Sequence, residues 1–203
     1  MTVNEQFLKV RYRLIKHDEF LTACLMIMKL ILCLSLLLVS SFASGLTLSS
    51  QDIQEGQVLD KTFVYEGFGC EGKNQSPHLA WRNAPKGTKS FVVTVYDPDA
   101  PTGSGWWHWV TFNIPADAHQ LNRNDSAADK LPDNAVQSRT DFGQTRFGGA
   151  CPPKGQMHRY IFTVYALSVA ALDLDATASP ALIGFMTRQY ALASDSITAM
   201  YTR

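Results

Sequence analysis

The chain has 203 residues, and its 18 basic and 18 acidic side chains leave no formal net charge. This balance argues against nucleic-acid binding, because such binding needs a cationic surface that releases counterions. The hydrophobic share of 46% is ordinary for a globular protein, and the length fits one domain preceded by a further segment. That further segment lies at the N-terminus.

The first 45 residues have the features of an export signal. Lys29 supplies a positive charge, Leu30–Val39 a short apolar run, and the following SFASG a small-residue cleavage site. A start at Met28 would give an ordinary signal peptide, with the preceding residues as an extension. A retained anchor is the alternative, but Lys29 interrupts the apolar stretch, and a membrane span needs about 20 apolar residues. We therefore predict a periplasmic or secreted protein that has no stable membrane span after cleavage.

Removal of residues 1–45 leaves a single predicted domain, 46–203, of about 160 residues. It contains two cysteines, Cys70 and Cys151. Two cysteines in an exported protein most simply form a disulfide, and two unpaired thiols are the alternative. No Cys-x-x-Cys or close Cys–His pair accompanies them, so the pattern does not indicate a metal site.

Four segments of the domain predict β-strands, because they are rich in β-branched and aromatic residues and are bounded by turn residues. Both alternating faces of the second segment are apolar, as in the core of a sandwich. No long helix separates the segments, so the sequence predicts an antiparallel all-β domain, a β-sandwich. A polar stretch, Asn122–Ala135, predicts a surface loop, and Ser196–Thr202 a closing strand. The four segments are Lys61–Gly67, Ser90–Tyr96, Trp107–Ile114 and Arg159–Leu167.

One short helix is predicted near the C-terminus. Ser179 can cap its N-terminus, and Pro180 suits its first position. Four apolar residues at helical spacing predict its packing face. They are Leu182, Ile183, Met186 and Tyr190.

The motif DPDAP, followed by WWHW, places carboxylates and an imidazole around one rigid loop. Pro98 and Pro101 restrict the backbone and remove two amide donors. Asp97 and Asp99 are as readily turn caps as functional acids, and His108 between tryptophans can be a core residue. The motif alone leaves catalysis, metal binding, anion binding and a purely structural turn open.

A second motif is GGACPPKGQMHRY, in which two glycines permit close backbone approach and two prolines stiffen the loop. A strand follows. Its alternation sends His158 and Tyr160 to one face and Arg159 to the other, where we expect a structural salt bridge or hydrogen bond.

With the preceding GCEGKNQSPHLAW, these motifs resemble the phosphatidylethanolamine-binding protein family, also called Raf-kinase-inhibitor-like proteins, and in particular its bacterial YbhB/YbcL-type branch. The resemblance runs from about Leu46 to the C-terminus. It implies a β-sandwich with a small pocket for anions such as phosphate, phosphorylated head groups or acetate. Asp99 and Arg159 match scaffold supports. The implied ligand-binding positions are Asp97, Pro101, His108, Gly149, Cys151, His158 and Tyr160.

The chemistry of these residue types suits such a pocket. Imidazole N–H groups, a phenolic hydroxyl and the amides of a glycine-rich loop can bind phosphate oxygens. Asp97 would repel an anion directly, so we expect it to orient and charge a histidine or to hold a ligand amine.

The sequence thus predicts a non-catalytic exported protein that binds a small anionic or phosphorylated ligand and needs no cofactor or metal. An enzyme, whether a hydrolase or a metal enzyme built from Asp97, His108 and His158, is less favoured, because no Ser or Cys nucleophile has a recognisable setting.

The alternative is an interaction module, or an inhibitor of a protease or kinase, that acts through its surface on a protein target. Kinase regulation itself is not carried over, because the regulatory C-terminal segment of eukaryotic members is not recognisable. A homodimer is one option that the sequence leaves open. Exposed tryptophans would favour an interaction surface, but we expect at least two of Trp106, Trp107 and Trp109 to lie in the core.

Overall fold

The computed structural model describes Met26, Met28 and residues 45–203. The predicted extension and signal peptide, with Cys24 and Cys33, therefore lie outside the described residues, apart from the two methionines and Gly45. Within the described part of the chain, no helix combines the length and the hydropathy needed to cross a membrane.

Most regular structure in residues 45–203 is β-strand, with one short and one longer helix. The helices are α1 (Asp125–Ala128) and α2 (Pro180–Tyr190). The strands are β1 (Thr47–Ser49), β2 (Glu66–Gly67), β3 (Cys70–Glu71), β4 (Leu79–Arg82), β5 (Ser90–Asp97), β6 (Trp106–Pro115), β7 (Gln120–Leu121), β8 (Val136–Gln137), β9 (His158–Leu167) and β10 (Ala191–Tyr201).

Two antiparallel sheets form the layers of a sandwich. The larger has the strand order β10-β9-β5-β6-β8, and the smaller has the order β1-β4-β7. A separate hairpin pairs β2 with β3. The all-β sandwich with a short C-terminal helix that the sequence predicts is confirmed.

The central strand β5 contributes to a core on each of its faces. Phe91 and Val95 pack in a cluster with Trp81 of the smaller sheet. Val92 packs on the opposite face in a second cluster with Ile183 of α2. Each such side chain stabilises the fold by about 1.5–3 kcal/mol when fully buried. The apolar alternation of this segment was therefore a correct indicator of two covered faces.

The predicted strand Lys61–Gly67 is wrong in most of its length. Lys61–Phe63 forms a 3-10 turn, and only the last two residues belong to a strand, β2. The cause is local: the side chain of Asp60 accepts a hydrogen bond of 2.8 Å from the amide of Thr62, which bends the chain before the β-branched residues can extend.

The helix α2 begins as predicted, but its buried face differs. Pro180 is its first residue, and the amide of Leu182 donates to the Ser179 hydroxyl at 3.2 Å. Ile183 and Thr187 are buried, one turn apart, whereas Leu182 is 43% exposed and Tyr190 36%. The helix face that packs on the sheet is therefore turned about the helix axis relative to the predicted face, because the position of the sheet determines which residues are covered.

The predicted surface loop Asn122–Ala135 contains the helix α1, whose residues Asp125 and Ser126 are buried. The Asp125 carboxylate accepts from the amide of Asn122, and the Ser126 hydroxyl accepts from the amide of Phe147. Polar residues are buried here because they bond the loop to its neighbours, so a loop prediction from polarity was only partly right. The predicted closing strand exists but is longer, since β10 begins directly after α2.

Candidate functional site

Antiparallel pairing brings the two motifs together at one end of the larger sheet. Asp97 ends β5, Trp106 begins β6 opposite it, and His158 begins β9 on the other side of β5. Asp97 lies on the face of Val95, and His158 on the face of Phe162, by simple alternation. Both side chains therefore lie at the end of the core between the two sheets.

A β-bulge in β6 turns His108 toward the same core. Val95 pairs with Trp109 and Tyr96 pairs with Trp107, so two steps on β6 correspond to one step on β5 and His108 is the extra residue. Such a bulge re-aims side chains and is frequent beside functional sites.

The bulge separates the tryptophans as well. Trp109 is fully buried in the core between the sheets, whereas Trp107 packs, partly buried, against the cluster beneath α2. Trp106 is also only partly buried. Only one of the three is therefore fully buried, and the expectation of at least two in the core is wrong: the bulge puts Trp107 on the opposite face, and Trp106, which pairs with Asp97, lies at the end of the sheet in the lining of the cavity.

A cavity of about 300 Å³ opens at this end of the sandwich. Five of the seven predicted ligand-binding residues line it: Asp97, Pro101, His108, Cys151 and His158. Gly149 and Tyr160 are not among the lining residues. The remaining residues of the lining are Phe68, Ala100, Thr102, Trp106, Phe142, Pro152, Pro153 and Arg203.

Asp97 is 3% exposed and has defined partners for both of its oxygens. Its Oδ1 accepts hydrogen bonds from the amides of Asp99 and Ala100, at 2.8 and 3.1 Å. Its Oδ2 lies 2.7 Å from Nδ1 of His158. Asp97 therefore caps the proline-rich turn and orients a histidine at the same time. The second ring nitrogen of His158, Nε2, lies 3.2 Å from the side-chain oxygen of Gln156.

His108 is held by two hydrogen bonds to one glycine. The amide of Gly148 donates to the carbonyl of His108 at 2.8 Å, and Nδ1 of His108 donates to the carbonyl of Gly148 at 2.7 Å. Burial lowers the pKa of His108, so the ring is neutral near pH 7. A neutral ring with its hydrogen on Nδ1 has an unprotonated Nε2, which accepts a hydrogen bond. In the structure, His108 therefore offers the cavity an acceptor in place of the donor that the sequence predicts.

The glycine-rich loop does not present its amides to the cavity. The amide of Gly149 donates to the side chain of Asn74 at 2.7 Å, and that of Ala150 to the carbonyl of Phe63 at 3.0 Å. A Cβ atom on Gly149 would lie 2.5 Å from the Phe63 carbonyl oxygen. Gly149 therefore allows two backbone segments to pass in contact, and the amides of Gly148, Gly149 and Ala150 are already used within the protein.

Tyr160 supports the site from inside the core. Its ring lies 5.1 Å from that of His108 in an edge-to-face arrangement, and it is 1% exposed. Burial, together with the charge of Asp97, raises the pKa of Tyr160, so the phenol stays protonated at neutral pH.

Several lining residues were not singled out as ligand-binding residues by the sequence. Arg203 donates to the carbonyl of Phe68 at 3.1 Å and lies 3.4 Å from Sγ of Cys70. Phe68 stacks on Phe142, with ring centroids 5.9 Å apart. These contacts join segments far apart in the chain, so no local pattern could have revealed them. Other lining residues did carry a signal, since they belong to the quoted motifs: Ala100 to DPDAP, Trp106 to WWHW, and Pro152 and Pro153 to GGACPPKGQMHRY.

The predicted disulfide between Cys70 and Cys151 is present, with Cα atoms 5.9 Å apart. It ties the β2–β3 hairpin, which carries Phe68, to the loop that leads into β9. Both segments line the cavity. The disulfide therefore stabilises the wall of the site and leaves Cys151 without a free thiol.

The expected structural pairing of Arg159 is also present. On the outer face, its guanidinium binds the Asp99 carboxylate through two hydrogen bonds of 2.6 and 2.9 Å. The Arg159 hydrogen bond lowers the pKa of Asp99 to about 2. This pair connects the proline-rich turn to β9, and so supports the position of Asp97 and His158.

Across residues 45–203, no cluster of three or more His, Cys, Asp or Glu side chains has a geometry that could hold a metal ion. Asp97 and His158 form a pair without a third such ligand.

Comparison with known proteins gives one consistent result. The family model described as phosphatidylethanolamine-binding protein matches residues 49–202. The UPF0098 protein YbhB of Escherichia coli (strain K12) is 54% identical over 156 residues, which are 76% of this chain and 99% of that protein. The UPF0098 protein YbcL of the same strain is 48% identical over 171 residues, 83% of this chain and 93% of that protein.

Solved structures agree with these sequence matches. The crystal structure of E. coli YbcL, described as a member of the mammalian PEBP family, superposes with a TM-score of 0.77 at 48% identity, covering 79% of this chain and 99% of that one. A phosphatidylethanolamine-binding protein homologue from Chlamydia trachomatis superposes with a TM-score of 0.65 at 26% identity, covering 78% and 98%.

Proposed function

Because the chain belongs to the phosphatidylethanolamine-binding protein family, we propose that it is an exported, non-catalytic binding protein whose cavity holds a small ligand with a phosphoryl group. The cavity at the end of the sandwich is the proposed site. Its volume of about 300 Å³ is at the lower end of the range for small-molecule pockets.

One observation carries this proposal. Among the residues that the structure describes, His108 Nε2 and Trp106 Nε1 are buried and have no hydrogen-bond partner, and both side chains line this cavity. A buried polar atom without a partner costs about 1–3 kcal/mol, so such atoms are rare in folded proteins unless a ligand or water serves them. A polar ligand that accepts from the indole and donates to the imidazole would satisfy both.

The lining offers one cationic group to an anionic ligand. Asp97 is already hydrogen-bonded to His158, whereas Arg203 adds a guanidinium at the exposed edge. A guanidinium binds phosphate through paired N–H groups. The apolar side chains of Phe68, Phe142 and the prolines would contact the carbon part of the ligand.

The same lining supports a binding role over a catalytic one. Cys151 is held in a disulfide, and the hydroxyl of Thr102 donates to the carbonyl of Gly105. Neither group has a base beside it that would make it a nucleophile. The disulfide also supports export, because disulfides persist in oxidising compartments such as the periplasm.

The proposal is tested by titrating the folded protein with methyl phosphate and following the His108, His158 and Trp106 side-chain resonances by NMR. We expect saturable shifts at all three. Arg203→Gln should weaken binding, while Arg82→Gln, an exposed arginine at the end of β4, should not. Unchanged resonances up to high ligand concentration would contradict the proposed function.

A protein-interaction role is the second candidate, and the surface of α2 favours it. Phe185 is 60% exposed and Leu182 43%, on a helix whose opposite face is buried. Neighbouring exposed apolar side chains often mark protein contacts. Sedimentation over a range of concentrations would test self-association: a dimer lost in Phe185→Ser supports it, and a monomer at all concentrations argues against a homodimer.

A further inference from the structure

The hydrogen positions on His108 restrict what the cavity can bind. Its Nδ1 donates to the Gly148 carbonyl at 2.7 Å, so the hydrogen of the neutral ring is committed to that bond. The other nitrogen, Nε2, is buried and has no partner in the described part of the chain. It presents a lone pair, and a fully dianionic phosphoryl group presents only lone pairs as well. These two groups repel unless one hydrogen lies between them.

The surroundings decide where that hydrogen resides. Burial lowers the pKa of His108, and the backbone of Gly148 and Gly149 and the carboxylates of Asp97 and Asp141 oppose the shift without cancelling it. The protonated ring is therefore the costly state. A phosphate monoester carries its second hydrogen with a pKa of about 6, so its monoanion is readily available at neutral pH.

The other titratable and charged groups near the ring are accounted for. They are Asp97 at the end of β5, His158 and Tyr160 on β9, Asp141 in the loop before β9, and Arg203 in the lining. Asp97 is hydrogen-bonded to His158, and the amide of Trp107 donates to Asp141 at 2.7 Å. None of these groups places a hydrogen on Nε2 of His108.

We propose that the cavity selects the monoanion of a phosphate monoester, with its P–O–H group donating to Nε2 of His108 while another phosphoryl oxygen accepts from the indole of Trp106. This inference rests on the proposed function and defines its ligand more closely. The free dianion takes up one proton when it binds, and no covalent bond other than that O–H is formed. A singly charged oxyanion that carries no hydrogen lacks the required donor.

The experiment compares methyl phosphate with methyl sulfate, which has the same shape and a single negative charge but no hydrogen to donate. We expect methyl sulfate to bind about 10-fold to about 100-fold more weakly, because it leaves the Nε2 lone pair facing an oxygen. We also expect the affinity for methyl phosphate to fall about tenfold per pH unit between about pH 7 and about pH 9, since the complex holds one proton more than the separated dianion and protein.

The variant His108→Gln provides the internal control, since a glutamine amide can donate to an anion. It should bind methyl sulfate and methyl phosphate alike and lose the pH slope. Equal affinities of the wild-type protein for the two ligands, or an affinity for methyl phosphate that does not change with pH, would overturn the inference even if the variant does not fold. If neither methyl phosphate nor methyl sulfate binds, the proposed function on which the inference rests is refuted.

Discussion

The Oδ2 atom of Asp97 and the Nδ1 atom of His158 lie 2.7 Å apart, although 61 positions separate the two residues in the chain. The bond joins the end of β5 to the start of β9, and both residues are almost completely buried. The other oxygen of Asp97, Oδ1, accepts hydrogen bonds from two backbone amides of the proline-rich turn. One carboxylate therefore fixes both the turn and the ring that line the cavity.

This bond leads to a stability prediction. Asp97→Asn should lower the free energy of unfolding by about 1.5–3 kcal/mol, the usual contribution of a hydrogen bond to a charged group. It should also weaken methyl phosphate binding, because the His158 ring loses its orientation. Urea denaturation at pH 7 checks the first effect, and NMR titration the second. The matched change Asp99→Asn, on the outer face, should weaken binding much less, because it acts on the site only through the position of the turn; equal losses from the two variants would contradict the assigned roles.

The Asp99–Arg159 pair should contribute to stability in a defined pH range. The pKa of Asp99 in the folded protein is about 2, below its value of about 3.9 in the unfolded chain. Its contribution is therefore complete above about pH 4 and is lost as the pH falls toward about 2. Because the pair is partly exposed, Asp99→Asn should cost less than about 1 kcal/mol at pH 7. The difference from wild type should shrink in acid, whereas a constant difference would refute this assignment.

The disulfide should stabilise both the fold and the site. Cys70 and Cys151 are 81 positions apart, for which the chain-entropy argument gives about 4 kcal/mol. Replacing both by serine should lower the free energy of unfolding by roughly that amount and reduce affinity for methyl phosphate, since the hairpin and the loop are no longer joined. Denaturation with and without reductant measures the stability. Reductant should not change the free energy of unfolding of the double variant. If reductant also left that of the wild-type protein unchanged, the prediction would be contradicted.

Trp106 and Trp107 are adjacent in β6 and lie on opposite faces of the sheet, so one variant can serve as the control for the other. Trp106→Phe removes the indole N–H beside the cavity and should reduce methyl phosphate affinity about tenfold, the effect of one net hydrogen bond. Trp107→Phe, one position along and on the opposite face of the sheet, should leave affinity unchanged. Titration of both variants gives the comparison. Equal affinities of Trp106→Phe and wild type would remove the indole from the site.

The buried face of α2 can be checked by two alanine substitutions in adjacent positions. Ile183→Ala creates a cavity beneath the sheet and should cost about 2–5 kcal/mol. Leu182→Ala removes a side chain that is 43% exposed and should cost less than about 1 kcal/mol. Urea denaturation measures both. A larger loss for Leu182→Ala than for Ile183→Ala would contradict the buried face assigned to α2.

The sequence alone determined the class of the fold and most of the long strands. Apolar alternation is a local property, and β5, β6 and β9 follow it because their neighbours cover both faces of the sheet. The capped start of α2 is local too, since Ser179 bonds within one turn. The two cysteines predicted the disulfide, because a single pair has one way to join, and the structure decided against the alternative of two unpaired thiols.

Only the tertiary structure decided which atoms of the site remain available. The bulge that re-aims His108 depends on the pairing of β6 with β5, and the commitment of its Nδ1 depends on a carbonyl 40 positions away. The glycine-rich loop was predicted to bind an anion, yet its amides are used by Asn74 and Phe63. The residue type determines which hydrogen bonds a group can form. Only the packing of the folded chain determines which protein partner takes each donor or acceptor, and therefore which of them stay available to a ligand.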